Sequence, residues 1–240
     1  MQGLFEPLFQ PIVDATGAVY AYEALMRFHG HDASPAPFVL RWEKTGFIKH
    51  ADRAMLKRIA EIVGTARPAL RLAVNVSIAT VEEGGTAYLE ALKMLTPHTR
   101  RVIVELTETS PIQDMPALMR FIGHCRELGC SIALDDCRPG HLYGDPAFIA
   151  QIKPQAIKLD GEFLHHCYST REIAPAVELL AAARSVSATV IAECVDSPAI
   201  RDFAFWLGVN LAQGHAIGRP APLPGIAKPA ADTMPAPLGN

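Results

Sequence analysis

The sequence lacks long apolar runs and any large excess of charge. No hydrophobic stretch approaches the roughly 20 residues that a membrane-spanning helix needs, so we expect no membrane segment. The formal net charge is only −3, and no basic stripe with interleaved aromatic residues is present, which argues against a nucleic-acid polymer as a partner. The N-terminus also lacks the basic start and long apolar stretch of a signal peptide.

Cysteines and glycine-rich loops are also sparse. The five cysteines are an odd number without the spacing of a disulfide framework, which is typical of proteins from a reducing compartment. We therefore expect a cytoplasmic location. No glycine-rich phosphate loop follows the first predicted strand, and this disfavours a dinucleotide-binding fold.

What the chain does have is a regular alternation of strand-like and helix-like segments. Its 240 residues, half of them hydrophobic, can bury one large core without disulfides. Strands that alternate with helices predict a parallel sheet, and the number of repeats favours an α/β fold closed into a modified (β/α)8 TIM-type barrel. A short turn joins Phe5–Val13 to residues 18–28, so we expect an opening hairpin that leaves one strand antiparallel.

The expected domain boundary lies near the C-terminus. Residues 1–222 carry the alternating pattern and are predicted to form the barrel domain. Residues 223–240 are rich in proline and alanine without hydrophobic periodicity, so we expect them to form a flexible tail.

The central predicted strand ends on two adjacent carboxylates. An apolar run after Ser131 leads directly into Asp135 and Asp136. Two like charges at the rim of an apolar core repel, unless one takes up a proton or a cation lies between them. A single pair of this kind can also be a strand cap followed by a solvated turn, so the pair alone does not decide between the two interpretations.

Polar residues recur at the ends of the other predicted strands. In a barrel these ends meet at one mouth, where catalytic groups collect. Several carboxylates around one mouth would destabilise the fold unless cations neutralise them. An all-oxygen set that includes an amide suits Mg²⁺ or Mn²⁺, and two such ions about 3.5–4 Å apart are a common device for phosphate-ester hydrolysis. The residues at these ends are Glu23, Asn75, Glu105, Asp135, Asp136, Lys158, Glu193 and Gln213.

Three of these residues suggest particular tasks in such a hydrolysis. Asp135 is the natural ligand to bridge two ions. Lys158 would orient the attacking water or steady the charge on the phosphoryl group. Glu193 is placed to take the proton from that water.

Short motifs spread along the chain resemble those of one family. Tyr22-Glu23-Ala24-Leu25-Met26-Arg27 resembles the signature of the EAL domains, the cyclic di-GMP phosphodiesterases of bacteria. The resemblance covers nearly the whole chain as far as the proline-rich tail. The other motifs, in the order of the family, are Phe9-Gln10-Pro11-Ile12-Val13, Asn75-Val76-Ser77, Glu105-Leu106-Thr107-Glu108, Asp135-Asp136, Ile157-Lys158-Leu159-Asp160, Ala192-Glu193 and Gln213-Gly214.

The resemblance implies a function and a set of site residues. The implied reaction is hydrolysis of cyclic di-GMP to linear pGpG in bacterial second-messenger signalling. Two Mg²⁺ or Mn²⁺ ions would be held by Glu23, Asn75, Glu105, Asp135 and Asp136. The implied catalytic residues are Glu193, Lys158 and Asp136. Substrate contacts would come from Gln10, Leu25, Arg27 and Gln213, of which Gln213 would also support the metal–water network, while Glu108 would support the loop after Asp136.

Departures from the family pattern concentrate around the acids. Residues 137–140 read Cys-Arg-Pro-Gly where the family usually has Phe-Gly-Thr-Gly, and Pro139 removes a backbone N–H from this loop. Cys194 replaces a glycine, so its side chain occupies a spot where relatives have none. Gly161, Asp196 and His215 replace an arginine, a glutamate and a tyrosine.

These departures leave more than one function open. All implied ligands and catalytic residues are kept, which favours the phosphodiesterase. The altered loop favours the alternative, a catalytically weak or inactive EAL-type receptor for cyclic di-GMP or a protein-interaction regulator. An unrelated metal-dependent barrel hydrolase would require the match at Glu23-Ala24-Leu25 to be accidental. The resemblance also leaves open a homodimer and a regulatory protein partner.

Overall fold

The computed structural model describes residues 5–29, 34–66, 70–107 and 110–224. Within these residues, eight strands close into a barrel in chain order, which confirms the predicted fold. The strands are β1 (Phe5–Val13), β2 (Val19–Phe28), β3 (Arg71–Ser77), β4 (Arg101–Thr107), β5 (Ser131–Cys137), β6 (Ala156–Leu159), β7 (Thr189–Ala192) and β8 (Leu211–Ala212).

Helices cover the outside of the barrel. They are α1 (Ala36–Lys44), α2 (Ile48–Ala66), α3 (Ile78–Leu95), α4 (Met115–Glu127), α5 (Pro146–Ile152), α6 (Gly161–Thr170), α7 (Ala174–Ser185) and α8 (Pro198–Leu207). No helix among the described residues is both long and apolar enough to cross a bilayer.

The opening hairpin makes this barrel mixed. β1 pairs antiparallel with β2 on one side and with β8 on the other, while the remaining neighbours are parallel. The turn that reverses the chain is held by Asp14, whose Oδ1 accepts hydrogen bonds from the Thr16 N–H at 2.8 Å and from the Ala18 N–H at 3.1 Å. Gly17 completes the turn with φ +84°, a conformation that favours glycine.

Polar side chains fix the starts of two helices. α3 begins at Ile78, where the Ser77 hydroxyl accepts the Thr80 N–H at 3.1 Å. α6 begins in a similar way. Its start is fixed by the Asp160 side chain, which accepts the Phe163 N–H at 2.7 Å.

The C-terminal part of the described chain runs back along β1. Ala221 forms an antiparallel bridge with Phe9, and the side chain of Leu223 is buried. Residues 225–240 lie outside the described residues. The domain boundary at residue 222 therefore stays a prediction.

Each strand contributes one apolar side chain to the inside of the barrel. Half of these side chains are alanines and half are branched, and together they fill the interior. The result is a packed floor rather than a channel. This apolar layer consists of Ile12, Ala21, Ala73, Ile103, Ala133, Ala156, Ile191 and Leu211.

A buried acid joins α2 to the start of α3. Asp52 accepts hydrogen bonds from the N–H and the hydroxyl of Ser77, both at 3.1 Å, and from the Thr80 hydroxyl at 2.6 Å. Burial raises the pKa of its carboxyl from 3.8 to about 6, although these hydrogen bonds limit the rise. The Asp52 carboxyl therefore ties the two helices together at the end of β3, two residues beyond Asn75.

The raised pKa of Asp52 makes stability depend on pH. Between about pH 4 and 6 the folded chain keeps a proton on Asp52 that the unfolded chain has released, so this residue's contribution to stability falls as the pH rises. Relative to Asp52→Asn, the wild-type free energy of unfolding should fall by up to about 3 kcal/mol over this range. Urea unfolding of both proteins at pH 4.5 and pH 7 measures the difference, and a difference that does not change with pH would contradict the assignment.

Candidate metal centre

A second layer of inward-facing side chains lies above the apolar layer, at the mouth of the barrel. Because side chains alternate along a strand, residues two positions apart point to the same side. In β2 to β8, a polar residue follows the apolar-layer residue by two positions, either within the strand or just after its end. In β1, which runs in the opposite direction, the polar residue comes two positions before the apolar-layer residue. We call this set the polar layer: Gln10, Glu23, Asn75, Glu105, Asp135, Lys158, Glu193 and Gln213.

Lys158 is the centre of the polar layer. The residue is 1% exposed, and its ammonium lies 2.8 Å from a carboxylate oxygen of Asp135 and 2.8 Å from one of Glu193. Carboxylate oxygens of Glu105 and Glu23 follow at 3.2 Å and 3.3 Å. Burial disfavours the charged ammonium, but these four carboxylates outweigh it and hold the pKa of Lys158 well above its usual value.

One ammonium does not balance this many acids. Burial, together with the neighbouring carboxylates, raises the pKa of Glu193 to about 8 and that of Asp136 to about 6. The same causes raise the pKa of Glu105 well above its usual value. Glu23 differs: burial would raise its pKa, but Lys158 and its hydrogen bonds lower it. The site thus carries a surplus of negative charge that a further cation would neutralise.

Three amide side chains order the Glu23 side of the mouth. Asn75 Nδ2 donates to Glu23 Oε1 at 2.8 Å, and Gln213 Nε2 donates to Glu23 Oε2 at 2.6 Å. Gln213 Nε2 also lies 3.1 Å from Gln10 Oε1, and Gln10 Nε2 donates to the Gly218 carbonyl at 2.9 Å. A hydrogen-bonded chain therefore links Glu23 to the segment that follows β8.

A bulge in β5 brings both aspartates to the mouth. Neighbouring residues of a regular strand point to opposite faces, but the pairing of β5 with β6 slips by one residue between Leu134 and Cys137. Asp136 takes φ +50° at this slip, and Cys137 then returns to the buried outer face. As a result, oxygen atoms of Asp135, Asp136 and Glu193 all lie within 4.8 Å of one another.

The residues present fit a hard divalent cation. Buried Glu105 Oε1 and Gln213 Oε1 have no hydrogen-bond partner within the described part of the chain, and such atoms are costly unless something else satisfies them. Around them stand further carboxylates, all offering oxygen, which is the donor type that Mg²⁺ and Mn²⁺ prefer. The chemistry of the donor set therefore suits the cations expected from the sequence.

The remaining predicted site residues lie beside this cluster. Leu25 and Arg27 continue β2 beyond Glu23 and line a cavity of about 200 Å³ between β2, α1 and α2. Arg27 Nη1 donates to the Met26 carbonyl at 2.7 Å. Glu108 lies outside the described residues, so its predicted support of the loop after β5 stays a prediction.

Two departures from the family pattern meet in space. A Cβ added to Gly161 would overlap the Cβ of Cys194 and would lie 2.6 Å from its Sγ. Cys194 has φ +50°, a conformation that suits the glycine expected there. The cysteine therefore fills the space that Gly161 leaves, and the two substitutions compensate each other. The sequence shows each change, but nothing in it indicates that the two residues are in contact.

The altered loop after Asp136 is tightly packed. Gly140 turns the chain with φ +83°, and any Cβ on Gly144 would collide with the Arg138 carbonyl. Tyr143 is buried and stacks on Phe148 with 5.4 Å between ring centroids. These contacts hold the far end of the loop next to the acids.

Comparison with known proteins identifies relatives of this chain. The model of the EAL domain family matches residues 1–220. The chain is 28% identical over 224 residues to the cyclic di-GMP phosphodiesterase PdeF of Escherichia coli (strain K12), covering 89% of this chain and 30% of PdeF. It is 28% identical over 223 residues to PdeR, a cyclic di-GMP phosphodiesterase of the same organism, covering 89% of this chain and 33% of PdeR. The chain spans about a third of these relatives.

Solved structures resemble this chain over most of its length. The PaMucR phosphodiesterase, in its c-di-GMP complex, superposes with a TM-score of 0.77 at 26% identity, covering 92% of this chain and 93% of that one. The Xanthomonas citri FimX EAL domain in complex with c-diGMP gives a TM-score of 0.77 at 19% identity, covering 92% and 89%. The second likeness, at this identity, shows the fold alone.

The contact between Gly161 and Cys194 predicts a rescue. Gly161→Ala should lower the free energy of unfolding by about 2 kcal/mol because the new methyl group overpacks the site. Adding Cys194→Gly should restore most of that loss, since it empties the contested space. Urea unfolding of the wild type, the two single variants and the double variant forms a double-mutant cycle, which gives the interaction energy between the two positions. Purely additive effects would show that the two positions do not interact.

Proposed function

The chain belongs to the EAL domain family, and from this membership we propose that it hydrolyses cyclic di-GMP to linear pGpG with the help of bound Mg²⁺ or Mn²⁺. The observation that carries the proposal is the polar layer, in which acids from four strands meet around one ammonium. The relatives PdeF and PdeR are named cyclic di-GMP phosphodiesterases, which supports the same substrate.

Five residues are proposed to hold the cations. Asp135 would lie between two ions. On one side, the Lys158 ammonium contacts both Asp135 and Glu105, and on the other side the bulge places Asp136 next to Asp135. Bound divalent ions activate water and neutralise charge on a phosphoryl group. The full set is Glu23, Asn75, Glu105, Asp135 and Asp136.

The other residues of the mouth act on the water and on the substrate. Lys158 can orient the attacking water. Glu193, which lies 2.8 Å from the Lys158 ammonium, can take the proton of that water. Gln213 keeps Glu23 in place through its 2.6 Å hydrogen bond. The proposed substrate contacts are Gln10, Leu25, Arg27 and Gln213, with Arg27 suited to a phosphate because its guanidinium forms paired hydrogen bonds.

The loop after Asp136 supports one alternative. Its sequence departs from the family pattern next to the proposed ligands Asp135 and Asp136, so binding without turnover is the second candidate function. In that case the protein is a catalytically weak or inactive receptor for cyclic di-GMP or a protein-interaction regulator. A homodimer and a regulatory protein partner stay predictions.

A product assay separates these functions. Purified protein is incubated with cyclic di-GMP and MnCl₂, and the nucleotides are separated by chromatography. We expect pGpG to accumulate and to disappear when the metal is chelated. Micromolar binding of cyclic di-GMP without product would select the receptor, and neither binding nor product would favour a role with a protein partner.

Glu23→Ala tests the metal assignment. The change removes a carboxylate that two amides and Lys158 hold in the polar layer, so turnover should fall by at least about a hundredfold. The matched control is Glu178→Ala, which removes an exposed carboxylate on α7 and should leave turnover unchanged. Initial rates of pGpG formation at saturating Mn²⁺ give the comparison. If Glu23→Ala keeps its rate within threefold of wild type, the proposed ligand set is wrong.

A further inference from the structure

The ladder between β2 and β3 ends just before the predicted metal ligand Asn75. β2 pairs with β3 only from Tyr22 opposite Leu72 to Ala24 opposite Val74. β3 nevertheless stays paired with β4 for three more residues. Asn75 is therefore the first residue of β3 beyond its ladder with β2, at the point where its side chain enters the polar layer.

A tyrosine hydroxyl reaches the backbone at this point. Tyr88 on α3 is fully buried, and its hydroxyl donates to the main-chain oxygen of Asn75 at 3.1 Å. Its ring packs against Phe121 with 5.8 Å between centroids, which fixes the direction of the hydroxyl. Burial raises the pKa of Tyr88 well above its usual value, so the hydroxyl keeps its proton and acts as a donor.

The same asparagine uses its side chain inside the barrel. Asn75 Nδ2 donates to Glu23 Oε1 at 2.8 Å, and this contact fixes which end of the amide faces Glu23. In the pairing of β3 with β4, Asn75 lies opposite Glu105. The backbone that Tyr88 holds thus carries an amide that lies between two acids of the polar layer.

We propose that Tyr88 is a positioning residue for the metal centre, because its hydroxyl fixes the backbone of Asn75 and thereby aims the Asn75 amide oxygen at the cation. The inference rests on the proposed function for the presence of that cation. Groups that orient metal ligands from outside typically change affinity severalfold or more when they are removed. Tyr88 would act from the outer face of the barrel, without touching metal or substrate.

Mn²⁺ binding tests this role. It is measured by electron paramagnetic resonance, in which the signal of free Mn²⁺ is lost when the ion binds. Tyr88→Phe keeps the ring and removes the hydroxyl, and we expect the Mn²⁺ dissociation constant to rise by about tenfold. Tyr168→Phe is the matched control, since its ring packs on Phe203 in α8 on another side of the barrel. Ile149→Val removes one buried methyl group from α5 and controls for reduced thermal stability. Both controls should keep the wild-type dissociation constant.

A double variant tests whether the effect passes through Asn75. In an Asn75→Ala background, adding Tyr88→Phe should weaken Mn²⁺ binding no further, because the amide that Tyr88 positions is gone. Wild-type affinity in Tyr88→Phe, or an equal loss in both backgrounds, would overturn the inference. Wild-type protein that binds Mn²⁺ but forms no pGpG would overturn the proposed function alone. Wild-type protein that binds no Mn²⁺ would overturn both.

Discussion

The contact of one buried ammonium with four carboxylates is the constraint on which the mouth of this barrel depends. Lys158 lies within 3.3 Å of an oxygen atom of each of four acids that come from four different strands. Such a cluster is costly to bury, and its members tolerate each other only through an opposite charge between them. The ammonium meets part of that need. Burial, together with the surplus of negative charge, raises the pKa of Glu193, Asp136 and Glu105. A further cation would neutralise that surplus.

The geometry of the barrel converts a simple alternation into a ring of polar groups. Each strand places an apolar residue in the floor and a polar residue two positions further toward the mouth. The floor excludes water from below, so the carboxylates above it interact in a medium of low polarity, where their charges matter most. At β5 the alternation alone would have sent Asp136 outward, and the bulge with φ +50° at this residue keeps it at the mouth.

Support for the acids comes from around the whole barrel. Glu23 is held by Asn75 and Gln213, and the chain of amides continues to the carbonyl of Gly218. The loop beyond β7 accommodates Cys194 because Gly161 leaves space for it. These two departures from the family pattern are therefore not independent of each other, because together they preserve the packing beside Glu193.

The sequence by itself determined the kind of fold and the chemical types at the strand ends. Alternating strands and helices predicted the barrel, the turn at residues 14–18 predicted the antiparallel strand, and the apolar runs that end on acids predicted an oxygen-rich mouth. These signals are local, since they depend on periodicity and on turn residues within one segment. The tertiary structure alone decided that Lys158 lies between the acids, that Gln10 completes the polar layer and that Cys194 lies over Gly161. Lys158 and Glu23 are 135 positions apart, and such contacts depend on how the barrel closes, which no single segment encodes.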